Sequence, residues 1–329
     1  MPLSKLIDMN AVQIFIVVAE EGSMSGAAAR LGLSQSGVSQ TVRQLEEKLG
    51  VVLINRTTRP MMLTPFGIAL KNRGGLLNEA ILNLKAQVVE AGNGIKPDLR
   101  MGLVDSFAAT CGSLFARQML SRVSQLSVRA GLSPLQGERL LRRELDLIIT
   151  SDPLTDTNEV MRYQLLSEKY FVITPAERRS APQNIADLRT LANILPIVRF
   201  NRYSQVGMQI DRQLRALEVR MSNRLELDTA DALTSMVAEG IGWAVTTPMC
   251  FLQAAATAKN VSVHFIPELG LERSLYLVCR RDEYGALFRD ACAMARSVIS
   301  DSLLPRLKAM GEGVENMVTL NKENLSEYR

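Results

Sequence analysis

Residues 22–67 set a tight turn between two short helical patterns and then a basic hairpin, an order that few folds accommodate. The turn centres on Leu31-Gly32-Leu33-Ser34. Gly32 can take the left-handed conformation that ends one helix, and Ser34 can cap the next by accepting an orphan amide hydrogen bond. Ala27, Ala28 and Ala29 are small enough for the two helices to cross closely, as a helix-turn-helix requires. In the second helix, roughly Gln35 to Leu49, Val38, Val42, Leu45 and Leu49 recur at helical spacing and face a core. Gln35, Ser36, Ser39, Gln40 and Arg43 fall on the opposite side, where their donors and acceptors can meet base edges and phosphates. Two short strands follow, Val51 to Arg56 and Met61 to Leu63, closed by Thr57-Thr58-Arg59-Pro60. They form a wing whose tip carries Arg56, Thr57 and Arg59, suited to phosphates or the minor groove. Thr64-Pro65 reads as a cap with proline at the first helical position, and Thr64 sits beside the same DNA-facing edge. Upstream, Asn10 with Gln13 has the spacing of a capping box, and Met9 with Ile14 that of a hydrophobic staple, so a first helix is expected from Ala11 to Glu20.

The rest of the chain limits what this head can belong to. At 329 residues there is room for two or three domains, and 47% apolar residues exclude a disordered chain. Net charge is only +4. The basic character is local: Lys5, Arg30, Arg43, Lys48, Arg56, Arg59, Lys71 and Arg73 face Asp8, Glu20, Glu21, Glu46 and Glu47 within residues 1–73. Such local patches, more than the total, decide partners. Cys111, Cys250, Cys279 and Cys292 are scattered without metal-ligand spacing, which fits reduced thiols in the cytoplasm and no structural metal. No apolar run is long enough to span a membrane, and no signal-peptide pattern opens the chain, so a cytoplasmic location without membrane contact is expected.

The stretch from Phe15 resembles the winged helix-turn-helix of LysR-type transcriptional regulators. The resemblance rests on Val18-Ala19-Glu20-Glu21-Gly22-Ser23, Ala27-Ala28, Arg30-Leu31, Ser34-Gln35, Val38-Ser39, Leu45-Glu46-Glu47, Leu49-Gly50, Arg56 and Leu63-Thr64. Ser36 stands where the family commonly has proline, and Gln40 where a basic residue is common, so the target DNA sequence does not carry over.

From Pro65 to about Ala91 the pattern is helical, with Ile68, Leu76, Leu77, Ile81, Leu84 and Val88 forming an apolar stripe that a small winged domain cannot bury alone. The resemblance implies a linker helix that pairs with that of a second subunit. Gly74-Gly75 interrupt it, either as a locally weak stretch or as a flexure. Beyond Pro97 strands and helices alternate: Leu99 to Val104, a helix from Thr110, Leu145 to Thr150, Tyr170 to Thr174, Ile197 to Phe200, Arg224 to Leu227, Gly240 to Val245, and Ser274 to Cys279. Alternation predicts α/β construction with mostly parallel sheets. Leu145-Asp146-Leu147-Ile148-Ile149, Asp228-Thr229 and Val237-Ala238-Glu239-Gly240-Ile241-Gly242 resemble the same family's effector-binding region, itself similar to two-lobed periplasmic binding proteins.

The expected organisation is therefore an α/β multidomain chain. A winged helix-turn-helix occupies residues 1–65, a linker and dimerisation helix 66–94, and a two-lobed effector-binding region 95–304. Lobe I takes about 95–167 plus 281–304, lobe II about 168–280, with crossings near 166–170 and 278–283, and a mobile tail follows over 305–329.

In open α/β sheets ligands sit beyond the carboxyl ends of strands. Four loops qualify: Asp105-Ser106-Phe107, Thr150-Ser151-Asp152, Asn201-Arg202-Tyr203-Ser204 and Thr246-Thr247-Pro248. Ser106, Phe107, Thr150, Arg202, Tyr203, Ser204 and Thr247 are the candidate effector contacts, with Ser106 foremost because it stands where family members bind effector. Arg202 would favour an anionic effector. No nucleophile, phosphate-loop or metal-ligand spacing is present, and the lone His264, beside Phe265 in a strand pattern, reads as a packed residue. The expectation is a non-enzymatic regulator, a homodimer or tetramer that reads an interrupted inverted repeat in double-stranded DNA under control of a small-molecule effector, with no cofactor. A ligand-binding protein or enzyme using the head for protein contacts is the rival. A redox sensor built on Cys111 at a helix N-terminus is the third reading.

Overall fold

The computed structural model describes residues 7–55, 61–91, 96–177, 181–220, 225–281, 283–311 and 313–321. The chain divides into two compact units, Met1–Asn93 and Gly94–Arg329.

The first unit opens with α1 (Met9–Glu21), α2 (Met24–Leu31) and α3 (Gln35–Leu49). Each ends on a glycine in the left-handed region, Gly22, Gly32 and Gly50, which orphans few carbonyls and turns the chain sharply. Asp8 caps α1 through the Asn10 amide, so the helix starts two residues before the Asn10–Gln13 expectation. An aspartate two positions upstream is the stronger acceptor for first-turn amides. β1 (Ile54–Asn55) and β2 (Met62–Leu63) pair antiparallel, with Ile54 opposite Leu63. The tip between them, with Arg56, Thr57 and Arg59, lies outside the described residues. A separate core of Val12, Phe15, Val18, Ala27, Val38, Val42, Leu45, Leu53 and Ile54 holds these elements together.

α4 (Pro65–Ala91) runs unbroken through Gly74-Gly75. Gly74 is there for packing: a Cβ would stand 2.8 Å from Val12 Cγ1 of α1, whereas Gly75 faces open space.

The second unit begins with β3 (Asp98–Val104), α5 (Asp105–Phe107), a π-helical turn over Ala108–Gly112 and α6 (Ser113–Met119). Then come β4 (Gln125–Gly131), α7 (Ser133–Leu141), β5 (Leu147–Thr150) and the long β6 (Val160–Lys169). The chain passes into a second lobe through β7 (Phe171–Pro175), α8 (Ile185–Ile194), β8 (Val198–Phe200), α9 (Gln205–Ala216), β9 (Leu225–Leu227) and α10 (Ala230–Ala238). That lobe closes with β10 (Ala244–Thr246), α11 (Pro248–Gln253), α12 (Ala255–Ala258) and β11 (Val261–His264). β12 (Glu272–Arg280), α13 (Gly285–Val298), a π-helical turn over Ile299–Leu303, α14 (Leu304–Met310) and β13 (Val318–Leu320) complete the first lobe.

Three expectations change here. The sheets are mixed, not mostly parallel. The first-lobe sheet has the order β13-β6-β12-β5-β3-β4, parallel at β3–β4 and β3–β5 and antiparallel where β12 meets β5 and β6. The reason is the double crossing: β6 leaves for the second lobe and β12 returns beside it in the opposite direction. In the second lobe β10-β7-β11 is antiparallel, while β8 and β9 pair parallel and a single parallel bridge joins Ile197 to Trp243. The second crossing also lies earlier than residues 278–283. All of β12 belongs to the first-lobe sheet, and the Tyr170 amide donates to the Leu271 carbonyl (3.1 Å) where both crossings meet. Finally, the described part of the expected tail, residues 305–311 and 313–321, carries defined structure. β13 adds to the β6 edge, with Thr319 opposite Ser167, and Val314 is buried. The apolar residues Val318 and Leu320 supply a strand pattern too short to register in sequence.

Candidate nucleic-acid interface and ligand cleft

The head's reading face follows from local capping. Ser34 Oγ accepts the Gly37 amide at 3.1 Å and fixes the start of α3, while Gly32, at φ 66°, gives the turn its corner. Val38, Val42 and Leu45 are buried, which forces Gln35, Ser36, Gln40 and Arg43 outward; Ser39 is half-buried at the edge of that face. Gln35, Gln40 and Arg43 make no hydrogen bond or ion pair to a described residue, so their polar groups are available to a partner. Ser36 shares a hydrogen bond with Ser34 (3.2 Å). Arg30, by contrast, is occupied by Glu20 and Glu21 at 2.8 and 3.0 Å.

Two residues tie the wing to the helices. Glu46 accepts the Leu53 and Ile54 amides at 2.8 and 3.2 Å, so α3 and β1 move as one piece. Thr64 donates to the Val52 carbonyl (2.7 Å) and accepts the Gly67 amide (3.1 Å), capping α4 with the hydroxyl proposed above as a DNA contact. Gly67 permits the close approach, since a Cβ there would lie 2.1 Å from the Leu53 oxygen.

In the second unit a cavity lies between the lobes. Its first-lobe wall carries Asp105, Ser106, Ser133 and Ser151, its second-lobe wall Ser204, Gln205, Val206, Asp228 and Thr229, and Arg273 forms the floor. Of the sequence candidates, Ser106 and Ser204 line it. Phe107 is fully buried against Phe115, edge to face at 5.7 Å. Thr150 is buried with its hydroxyl on the Asp152 amide, and Thr247 caps α11 through the Cys250 amide. Arg202 and Tyr203 are exposed outside the cavity, Arg202 paired with Glu226 at 3.4 Å.

The floor is a buried ion pair. Arg273 Nε donates to Glu168 Oε1, Arg273 also donates to Ser106 Oγ (2.9 Å), and Glu168 Oε2 accepts the Met249 amide (2.9 Å). Both side chains are within 1% of complete burial. Ser106 on the first lobe and α11 on the second thus meet the same pair. Burial pushes the nearby Tyr170 hydroxyl and Cys250 thiol up from their ordinary values. All four cysteines are free and buried, and burial pushes the Cys111 thiol up to about 11, so the thiolate that redox chemistry needs is scarce there. His264 sits in β11 against Thr174 (2.8 Å), with burial lowering its pKa.

Two family models match the chain, one over each unit. Residues 9–68 match the bacterial regulatory helix-turn-helix protein, lysR family, and residues 92–298 match the LysR substrate binding domain. The chain belongs to the LysR family of bacterial transcriptional regulators. Among curated LysR-like relatives, the HTH-type transcriptional regulator BbuR of Bordetella bronchiseptica is 27% identical over 288 residues, 84% of this chain and 85% of that one. A probable nitrogen assimilation transcriptional activator of Synechococcus elongatus is 26% identical over 285 residues, 84% and 89% of the two chains. These relatives are regulators and not enzymes, which removes the enzyme reading. In fold, the chain is similar to a full-length OxyR variant from Pseudomonas aeruginosa (TM-score 0.62, 18% identity, 89% of this chain and 96% of that one). It is similar also to CbnR complexed with its target DNA (TM-score 0.59, 18% identity, 88% and 99%).

Sequence reading of this LysR-family chain missed Ser133, Thr229, Gln205 and Arg273 as cavity residues. Asp228-Thr229 carried a usable signal, because Thr229 caps α10 after β9, and Ser133-Pro134 carried a weaker one, a proline in the first turn of α7 after β4. Arg273 carried none, since its place depends on a strand pairing 105 residues apart. Among the described residues no helix is long and apolar enough to cross a membrane, and no cluster of His, Cys, Asp and Glu could hold a metal.

Proposed function

We propose that this LysR-family regulator reads DNA through the Gln35, Ser36, Ser39, Gln40 and Arg43 face of α3, with Arg56, Thr57 and Arg59 of the wing and the Thr64 joint beside it. A small molecule bound between the two lobes sets its activity. The observation that carries the first part is the outward set of Gln35, Gln40 and Arg43, without a described side-chain partner, on a capped α3 tied to β1 through Glu46. The inter-lobe cavity, lined from both lobes, supports the second. Leu77, Ile81 and Leu84 are exposed at helical spacing on α4, which supports self-association through that helix into a dimer or higher oligomer. Two heads would then read an interrupted inverted repeat. Arg202 supplies no argument for an anionic effector, because Glu226 neutralises it away from the cavity.

Arg43→Ala tests the head. Footprinting of the full chain on the DNA upstream of its own gene first defines the site. Fluorescence anisotropy on that site over a salt series should then show affinity reduced and the log–log salt slope flatter by about one per head if Arg43 meets a phosphate. If Arg43 reads a guanine, the loss should fall on one base pair, about 1–3 kcal/mol. Unchanged affinity and slope would take Arg43 out of the interface.

A further inference from the structure

The inter-lobe cavity proposed above as the ligand site carries enough polar detail to name the class of its ligand. Arg273 is the sole cation among the described residues that line it, and Glu168 cancels that charge at its own depth. The carboxylates are not cancelled in the same way. Asp228 at least receives a hydrogen bond from Asn201 Nδ2 (2.6 Å). Asp105 borders the cavity with no hydrogen bond or ion pair from a described side chain, and its partial burial pushes its pKa up. A desolvated, unpaired carboxylate is unfavourable in isolation, and a cation beside it recovers that free energy. An anionic ligand would instead add repulsion, with no free positive side chain to offset it.

The hydroxyls and amides have the opposite character. Ser106 Oγ already accepts from Arg273, so its own proton is left to donate. Thr229 Oγ1 accepts the Ala232 amide (3.4 Å) and likewise retains its proton. Ser133 Oγ accepts the Ser151 amide (3.0 Å) and shares one proton with Ser151 Oγ (2.9 Å), leaving the pair one more to give. Gln205 and Val206 line the cavity in the first turn of the twelve-residue α9, where amides have no acceptor inside the helix; Ser204 takes only the Gly207 amide. A simple amine would leave these donors unsatisfied. A simple acid would leave Asp105 facing a like charge.

We propose that the cleft binds a small zwitterion, an α-amino acid or close analogue, with its ammonium on Asp105 of the first lobe and its carboxylate on the donors at Gln205, Val206 and Thr229 of the second. Such a ligand makes its two strongest contacts on different lobes, so it favours the arrangement in which they are closed upon it.

The test uses the full-length protein and a set of probes: the twenty proteinogenic L-amino acids, and for each one that binds, the amine lacking its carboxylate and the carboxylic acid lacking its amine. Thermal shift finds binders and calorimetry gives Kd. At least one amino acid should bind, with both truncated analogues weaker by tenfold or more. Asp105→Asn, close to isosteric, should weaken the amino acid by tenfold or more and leave the carboxylic acid no weaker. Ligand-free thermal unfolding checks that the variant folds. A carboxylic acid that binds as well as its amino acid, with affinity lowered by Ser106→Ala, would overturn the zwitterion and keep the cleft. Binding indifferent to both substitutions would remove the ligand from the cleft altogether. Absence of binding by all twenty amino acids would overturn the inference.

Discussion

Glu168 and Arg273 are opposite one another in the β6–β12 ladder, each fully buried and each bound to a different lobe, through Met249 and Ser106. Desolvating two charges offsets most of their attraction, so the pair as a whole contributes little net stability. Removing one partner is another matter, because the survivor stays buried and uncompensated. Glu168→Met or Arg273→Met should each lower stability by about 3–5 kcal/mol, and the double substitution should cost clearly less than the sum. Urea denaturation of the four proteins in the cycle measures this, and additive losses would mean the two charges are not coupled. Nothing in the sequence marks this pair. Glu168 stands in an unremarked Ser-Glu-Lys and Arg273 in Glu-Arg-Ser, and only the sheet register brings them together. Ser34 and Gly32 were legible because a helix cap is completed within three residues. Ser106 was legible as a strand-to-helix junction, but its partner was not.

Elements show the same division between local and distant causes. The helix-turn-helix, α4 and the strands β3, β5 and β12 could be read from periodicity. β4 could not: most of Gln125–Gly131 is exposed at the sheet edge, so it lacks the apolar alternation that marks a strand. Nor could β6, whose Arg162, Gln164 and Glu168 break an apolar run yet all pair with β12, Glu168 also with β13. The two glycines of α4 look identical in sequence and differ in structure. At Gly74 an added Cβ must push Val12 aside, and at Gly75 it meets nothing within 4 Å. Gly74→Ala should therefore destabilise the head by about 1–3 kcal/mol through overpacking, despite the better helix propensity of alanine. Gly75→Ala should stabilise it by about 0.5–1 kcal/mol. Thermal unfolding followed by circular dichroism reads both signs. Equal stabilisation by the two substitutions would mean that α1 and α4 are not in the contact described, and would reopen a flexure at these residues.

On the scale of the whole chain, the head core and the body core share no residue. Phe15, Val38 and Leu45 anchor one, and Phe107, Phe171 and Trp243 the other. Each contains enough buried apolar surface to unfold as its own cooperative unit, and a single stability for the chain is then not defined. Scanning calorimetry of the full-length protein should show two transitions that respond to different changes. Operator DNA at a hundredfold its Kd adds about 2.7 kcal/mol to whatever binds it, and that increment should fall on the transition that Gly74→Ala lowers. Glu168→Met should lower the other. Because coupling between two ligands is reciprocal, a cleft ligand that tightens DNA binding must itself bind more tightly in the presence of DNA, by the same factor. The two calorimetric shifts measured together should then exceed the sum of the separate ones by that coupling energy. One transition that moves as a unit with every perturbation would show instead that head and body fold together, and regulation would have to act on a single cooperative structure.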